Sequence, residues 1–440
     1  MFTRSDFGED FVWGVAQASY QTEGGFDTEG KILSVWDVFS HKKGKIERNE
    51  NADIATDFYH KFPEDLELAK QMNFDAFRFS LSWPRILDNN GKPNQKGIDF
   101  YNRVIDKSLE LGIEPWITLY HWDHPQYIED KGGWTNRDMV KWFSDFADIA
   151  SKKFGDRVKN WMVLNEPFSF TFNGYFTGEM APGKKGLKNF LKAIHHSNLC
   201  QAEGGRIIRS NVENSNIGTT QFMAHVEPFS EKDKVASAKI DALINRIFLE
   251  PSLGMGYPTD ILPVIKKIEK YMQQDDIQKM KFDFDFIGLQ YYFRLIVKRN
   301  FLMPYVGAKE VKPEQRKVQD INEMGAEVYP IGLYKLLKRL DNYQIKKIHI
   351  TENGVCYKDV LNNGRVDDQR RIEFFKSHLE QILKAKKEGV NVDGYFVWSL
   401  TDNFEWDKGF RPRFGLVYVD YPTLKRYIKN SGLWFKEFLA

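Results

Sequence analysis

Short runs of β-branched and aromatic residues alternate along the chain with stretches in which apolar residues recur every three or four positions. The runs at 11–16, 76–80, 115–120, 160–164, 217–221, 286–291, 347–351 and 395–399 read as strands, because each is largely apolar and too short for a buried helix. The stretches between them read as amphipathic helices. At 63–72, Pro63 fits a first helical position, Glu64 and Asp65 suit the positive end of the dipole, and Leu66, Ala69 and Lys70 follow helical spacing. At 138–154, Val140, Phe143, Phe146, Ala147 and Ala150 share one face. About eight strand-then-helix units in a chain of this length predict an α/β fold, a (β/α)8 TIM barrel with long βα loops. No Gly/Ser-rich or Pro-rich linker interrupts the rhythm, so one domain over 1–440 is expected. Two segments, 24–51 and 294–325, read as long irregular loops and are expected beside the site.

Charge adds little to this picture. The 63 basic and 61 acidic residues nearly cancel, and clusters such as Lys384, Lys386 and Lys387 read as a solvated helix face, which argues against a nucleic-acid partner. No run approaches the roughly 18 apolar residues of a membrane helix, and Met1 to Asp6 lead directly into folded-looking sequence, so no membrane partner and a cytoplasmic location are expected. Cys200 and Cys356 are too few for a disulfide framework and read as reduced packing residues. Aromatic content is more informative, at 15% with 11 Trp. Many rings adjoin polar residues, which suits a carbohydrate with its C–H faces and hydroxyls. A large aromatic core explains the composition equally well.

In a barrel of this kind the site lies at the carboxyl ends of the strands. Reactive side chains cluster there. Gln17 follows the first run, Arg78 lies in the second, and His121, Trp122 and Asp123 follow the third. Asn165 and Glu166 follow the fourth, Tyr292 the sixth and Glu352 the seventh, with Trp398 in the eighth. A lone Glu after a strand is also a helix cap or an ion-pair partner. Two carboxyl groups from the fourth and seventh strands, however, would face each other across the mouth. Glycoside cleavage needs such a pair, one to protonate the leaving oxygen and one to meet positive charge at the anomeric carbon. The histidines His121 and His124, or His195 and His196, could suggest a metal, but tetrahedral zinc needs more ligands. His195 and His196 read as capping or packing residues.

Asn165-Glu166-Pro167 and Thr351-Glu352-Asn353-Gly354 resemble the two active-site signatures of glycoside hydrolase family 1, the β-glucosidase family. Phe11-Val12-Trp13-Gly14 with Gln17, Phe77-Arg78-Phe79-Ser80 with Trp83-Pro84-Arg85, Leu119 to Asp123 with Pro125-Gln126, and Arg413-Phe414-Gly415-Leu416 are similar to family segments in the family's order. The resemblance spans essentially the whole chain. It implies a retaining exo-β-glycosidase, a β-glucosidase acting on unphosphorylated β-D-glucosides or short β-linked oligosaccharides, with β-fucosides or β-galactosides tolerated. By the resemblance Glu352 is the nucleophile and Glu166 the acid/base. Arg78 and Tyr292 hold the nucleophile, Arg78 lowering its pKa, and Asn165 contacts the sugar 2-hydroxyl. Gln17, His121, Glu405 and Trp406 grip the outer hydroxyls, Trp398 lies under the ring, and Trp122 and Phe414 belong to the same sugar-binding group. A Glu405 carboxylate would repel a phosphate. No metal or cofactor is implied.

Departures from the family pattern gather on the leaving-group side, where Phe168 is also placed. Gln221 and Gln290 stand where Asn is usual, and Ala326 stands where many members carry a Trp that stacks on the leaving-group sugar. Losing that ring forfeits stacking worth about 1 kcal/mol, so the pocket should be less tuned to a second glucose. A neighbouring ring filling the gap would cancel the effect. A transglycosidase would share every catalytic residue, and a non-catalytic sugar-binding barrel would keep the pocket without turnover.

Overall fold

All eight apolar runs become barrel strands in the computed structural model, which describes residues 2–440. They are β1 (Val12–Ala16), β2 (Ala76–Ser80), β3 (Glu114–Tyr120), β4 (Asn160–Asn165), β5 (Asn216–Phe222), β6 (Phe286–Gln290), β7 (Ile348–Asn353) and β8 (Val392–Trp398). Each pairs in parallel with its sequence neighbours, and β1 pairs with β8 to close the ring.

The lower barrel is filled by large side chains set against glycines. The Trp116 ring lies 5.0 Å from Phe396, 5.1 Å from His349 and 5.6 Å from Phe286. A Cβ on Gly14 would come within 2.2 Å of Phe396, and one on Gly218 within 2.3 Å of Phe286. Glycine therefore gives the rings their room, and this plug supports the polar layer above it.

Two strands break their alternation just before the mouth. Pairing of β4 with β5 shifts between Met162 and Asn165, and pairing of β7 with β6 shifts between Ile350 and Glu352. Each irregularity acts as a bulge does, adding a residue and turning the next side chain inward. Asn165 and Glu352 owe their inward aim to these shifts.

Some local expectations need correction. The helix expected at 63–72 runs Phe58–Gln71, with Pro63 inside it. Phe58 and Tyr59 extend it upstream because their rings pack at 6.0 Å on Phe77 and 4.6 Å on Phe100. The segment 294–325 is not wholly irregular. Arg294–Arg299 and Ala308–Glu310 join His225–Pro228 in a three-stranded sheet, with Val297 and Ala308 buried. Within 24–51, Ser34 and Asp37 form a capping box on the helix Val35–Ser40.

Behind β7 and β8 lies a buried ion cluster. Lys429 contacts Asp359 at 2.5 Å and Asp402 at 2.7 Å, Arg371 pairs with Asp359 and Asp368, and Arg413 reaches Asp402 at 2.5 Å. Asp402 also accepts the Gly415 N–H at 3.0 Å. Lys429→Met would leave two buried carboxylates short of a cation, and an uncompensated buried charge costs about 3–5 kcal/mol. Urea unfolding should show a loss of that size, and an unchanged midpoint would contradict it. No helix among the described residues is long and apolar enough to cross a membrane.

Candidate active site

The polar layer above the ring plug is organised by Arg78 on β2, which is 1% exposed. Its Nε donates to Thr118 on β3 at 3.0 Å, and Nη2 donates to Asn165 Oδ1 at 2.6 Å. Nη1 donates to Glu352 Oε1 at 2.5 Å and to the Thr351 carbonyl at 3.0 Å. The other Glu352 oxygen, Oε2, accepts from Tyr292 at 2.6 Å. With a donor on each oxygen, the Glu352 carboxyl has a fixed plane and orientation.

Asn165 Oδ1 accepts two further bonds, from Gln290 at 2.7 Å and Thr220 at 3.1 Å. Its amide nitrogen must therefore face the other way, toward His121 Nε2 at 3.0 Å. Because that nitrogen donates, His121 Nε2 accepts and Nδ1 carries the hydrogen. Burial, aided by the Arg78 charge, holds the His121 pKa well below the usual histidine value, so the ring is neutral.

Glu166 stands at the carboxyl end of β4 with left-handed backbone, φ 42° and ψ 64°, its N–H bonded to the Thr220 carbonyl at 3.0 Å. Trp122 and Trp406 also have positive φ, 78° and 49°. Non-glycine residues in this region cost about 1–2 kcal/mol each, and here three gather at one site.

Burial, followed by the charge of Glu352, pushes the Glu166 carboxyl well above the ordinary glutamate range. Burial also raises Glu352, but Arg78 and then the Tyr292 hydroxyl pull it back. The expectation that Arg78 would leave Glu352 with a lowered pKa is thus corrected, since desolvation outweighs the guanidinium. The contrast between the two groups survives: a single proton is held preferentially by Glu166.

The indoles of Trp398 and Trp406 both lie nearly parallel to His121, each with its centroid 5.9 Å from that ring. Trp406 is braced by Trp122 at 4.4 Å and Trp36 at 4.6 Å, with Tyr20 stacked at 6.2 Å. Tyr292 meets Phe414 edge to face at 6.1 Å. Among these walls, buried Gln17 Nε2, His121 Nδ1 and Glu405 Oε2 have no hydrogen-bond partner among the described residues. Two donors and an acceptor in an aromatic enclosure suit a ligand that is apolar on its faces and hydroxylated at its rim.

Glu405 differs from its expected charge. Burial, with the charges of Glu352 and Asp407, pushes it up to about 8, so near neutrality the carboxyl is largely protonated and can donate as well as accept. A carboxyl whose folded pKa lies above its unfolded value of about 4.3 favours folding below that value. The contribution is lost as pH rises toward the folded pKa. Glu405→Gln should therefore flatten the decline in Tm between about pH 5 and pH 8; a decline as steep as that of the native protein would count against this assignment.

The expected leaving-group residues are dispersed. Gln221 faces the outer helix layer, donating at 3.1 Å to Gln201 on the helix Leu187–Asn211, because alternation along β5 turns Thr220 inward. Gln290 lies beneath Asn165 as a buttress. Ala326 closes a turn with Asn322 through paired 3.0 Å bonds, and Phe168 is buried, stacked on Phe172 at 5.2 Å. His195 bonds Asp276 at 2.8 Å and His196 the Trp134 carbonyl at 2.8 Å, as packing residues do. Sequence reasoning missed Tyr20, Trp36, Thr118 and Thr220. Trp36 alone carried a signal, a Trp within a segment expected beside the site.

Residues 3–440 match the sequence profile of glycosyl hydrolase family 1. Beta-glucosidase A of Thermotoga maritima is 41% identical, the match covering 98% of this chain and 97% of that protein. Beta-glucosidase A of Acetivibrio thermocellus is 40% identical with the same coverage. The solved family 1 b-glucosidase from Thermotoga maritima superposes with a TM-score of 0.94 at 41% identity, covering 98% of this chain and 97% of that one. The AHE enzyme from Alicyclobacillus herbarius gives 0.95 at 36% identity, covering 100% and 98%. With its barrel, its paired carboxyls and this match along almost its whole length, the chain belongs to glycosyl hydrolase family 1.

Proposed function

We propose that this glycoside hydrolase cleaves unphosphorylated β-D-glucosides with retention, Glu352 acting as nucleophile and Glu166 as acid/base. The observation that carries the assignment is the unequal environment of the two carboxyls. Glu352 has Arg78 and Tyr292 on its two oxygens, whereas Glu166 is buried beside Glu352's charge and, among the described residues, no cation is bonded to it.

Protonated Glu166 gives its hydrogen to the glycosidic oxygen while a Glu352 oxygen bonds to the anomeric carbon. The aglycone leaves as an alcohol and the sugar stays as an ester on Glu352. Glu166, now ionised, takes a proton from an incoming water whose oxygen attacks the same carbon, and the Glu352 ester bond breaks. Asn165, locked with its amide hydrogens outward, is placed to bond the 2-hydroxyl as the ring flattens. Gln17, His121 and Glu405 meet the outer hydroxyls, over the Trp398 floor.

Following the anomers of freshly released glucose by proton NMR tests the reading. The β anomer should appear first and the α anomer only by mutarotation. Initial α anomer would mean inversion and overturn the mechanism. A panel of β-glycosides should rank glucosides at or near the top.

A further inference from the structure

The hairpin that joins Arg294–Arg299 to Ala308–Glu310 ends in an apolar tip set among cations. Phe301, Leu302 and Met303 are consecutive at its turn and are 87%, 92% and 45% exposed. Exposed apolar side chains are ordinarily scattered singly, so three in a row on one turn mark a contact surface. The turn is built to hold them there. The Asn300 N–H donates to the Gly307 carbonyl at 2.8 Å, the Met303 N–H to the Asn300 carbonyl at 3.0 Å and the Gly307 N–H to the Met303 carbonyl at 3.1 Å. The Asn300 side-chain oxygen accepts the Leu302 N–H at 3.2 Å. Just past the tip, Val306 packs on the buried cluster of Ala236, Val297 and Ala308.

The charge around this tip is one-sided. Residues 298–317 hold six basic residues, Lys298, Arg299, Lys309, Lys312, Arg316 and Lys317, against Glu310 and Glu314, an excess of four where the whole chain has two. Arg316 pairs with Glu327. Among the described residues the other five form no salt bridge, and all but Lys298 are exposed. Lys298 and Lys309 stand directly opposite each other in the ladder, where like charges cost stability. Arg299 lies 5.8 Å from the Phe301 ring, which puts charge and apolar surface side by side. Lysine on an edge strand also deters pairing with another chain, but that role needs no Phe-Leu-Met tip beside it.

We propose that this hairpin tip docks on an anionic lipid bilayer. Phe301, Leu302 and Met303 enter the boundary between headgroups and acyl chains, while Lys298, Arg299 and Lys309 meet lipid phosphates. A nucleic acid would take the cations and leave the tip in water. A second copy of the chain in a two-fold contact would set these cations against their own equivalents. The expectation of no membrane partner rests on the lack of a spanning segment, and an interfacial contact requires none.

Co-sedimentation with vesicles tests the proposal, comparing equal parts phosphatidylglycerol and phosphatidylcholine with phosphatidylcholine alone. Native protein should pellet with the anionic vesicles at low salt, and be released at about 0.5 M NaCl as screening shortens to a few Å. Each cation near an anionic surface is worth about fivefold in binding, so the double variant Arg299→Gln, Lys309→Gln should bind about twenty-five-fold more weakly. The double variant Phe301→Ser, Leu302→Ser should lose at least about tenfold. Turnover of a soluble aryl glucoside should be unchanged in both, which shows that they are folded. Native protein that stays in the supernatant with anionic vesicles overturns the proposal whatever the variants do. Equal binding to phosphatidylcholine alone, or native-strength binding retained by either folded variant, overturns it as well. A native dimer in sedimentation velocity that the Phe301→Ser, Leu302→Ser variant dissociates would assign the tip to a second copy instead.

Discussion

Replacing Glu352 with glycine lowers hydrolysis of every β-glucoside by on the order of 10⁵-fold or more, the scale seen when a covalent nucleophile is removed. Water alone would then have to attack an unassisted anomeric carbon. The loss should fall on kcat, because the sugar contacts proposed for Gln17, His121 and Glu405 are untouched. Arg78 loses its carboxylate and keeps Asn165, Thr118 and the Thr351 carbonyl as partners, so the fold should persist. Formate restores part of the rate if a small carboxylate can occupy the vacated space beside Arg78 and Tyr292. A residual rate within about tenfold of native would remove Glu352 from the mechanism.

Glu166→Gln has a different signature. General acid catalysis contributes about 10²–10⁴-fold, so kcat/KM for alkyl glucosides should fall by that factor. An activated dinitrophenyl glucoside, whose leaving group needs no proton, should lose far less in the glycosylation step. The pH profile changes in a defined direction. In the native protein activity should fall on the acid side as Glu352 takes up a proton and on the alkaline side as Glu166 loses one. Burial and the charge of Glu352 place that alkaline limb well above the ordinary glutamate range. The variant should lose the alkaline limb and keep the acid one. Equal losses on alkyl and dinitrophenyl substrates, with the native profile intact, would assign the proton to another group.

Barrel and carboxyl pair were legible because both depend on local signals. Continuous apolar runs mark strands buried on both faces, and a polar residue directly after such a run marks the mouth. The register shifts in β4 and β7 carry no such signal. Period-two alternation from Met162 would aim Leu164 inward, and only the shifted ladder brings Asn165 to Arg78. The same blindness misplaced Gln221, whose orientation depends on which face of β5 meets the helix Leu187–Asn211. The neighbours of Gln290 in the chain point to the leaving-group side, yet its partners come from β4 and β5. Arg294–Arg299 was readable in principle as Leu295, Ile296 and Val297 between basic residues, and was hidden by the Gly and Pro that follow it.

Net pKa was the other thing beyond reach of the sequence. Arg78 beside Glu352 suggests a lowered value and Glu405 suggests a full negative charge, but both conclusions omit desolvation, which only the packed structure supplies. What remains after that correction is a difference between two carboxyls rather than an absolute value for either. Such a difference is sufficient for a proton to start on one group and a bond to form at the other.

The most direct measurement is to trap the glycosyl-enzyme with a 2-deoxy-2-fluoro-β-glucoside carrying an activated leaving group, then locate the added mass by peptide mass spectrometry. The account predicts one sugar per chain, esterified to Glu352, in native protein and none in Glu352→Gly. An adduct on Glu166 or any other residue, or native protein that turns the reagent over without forming one, would contradict it.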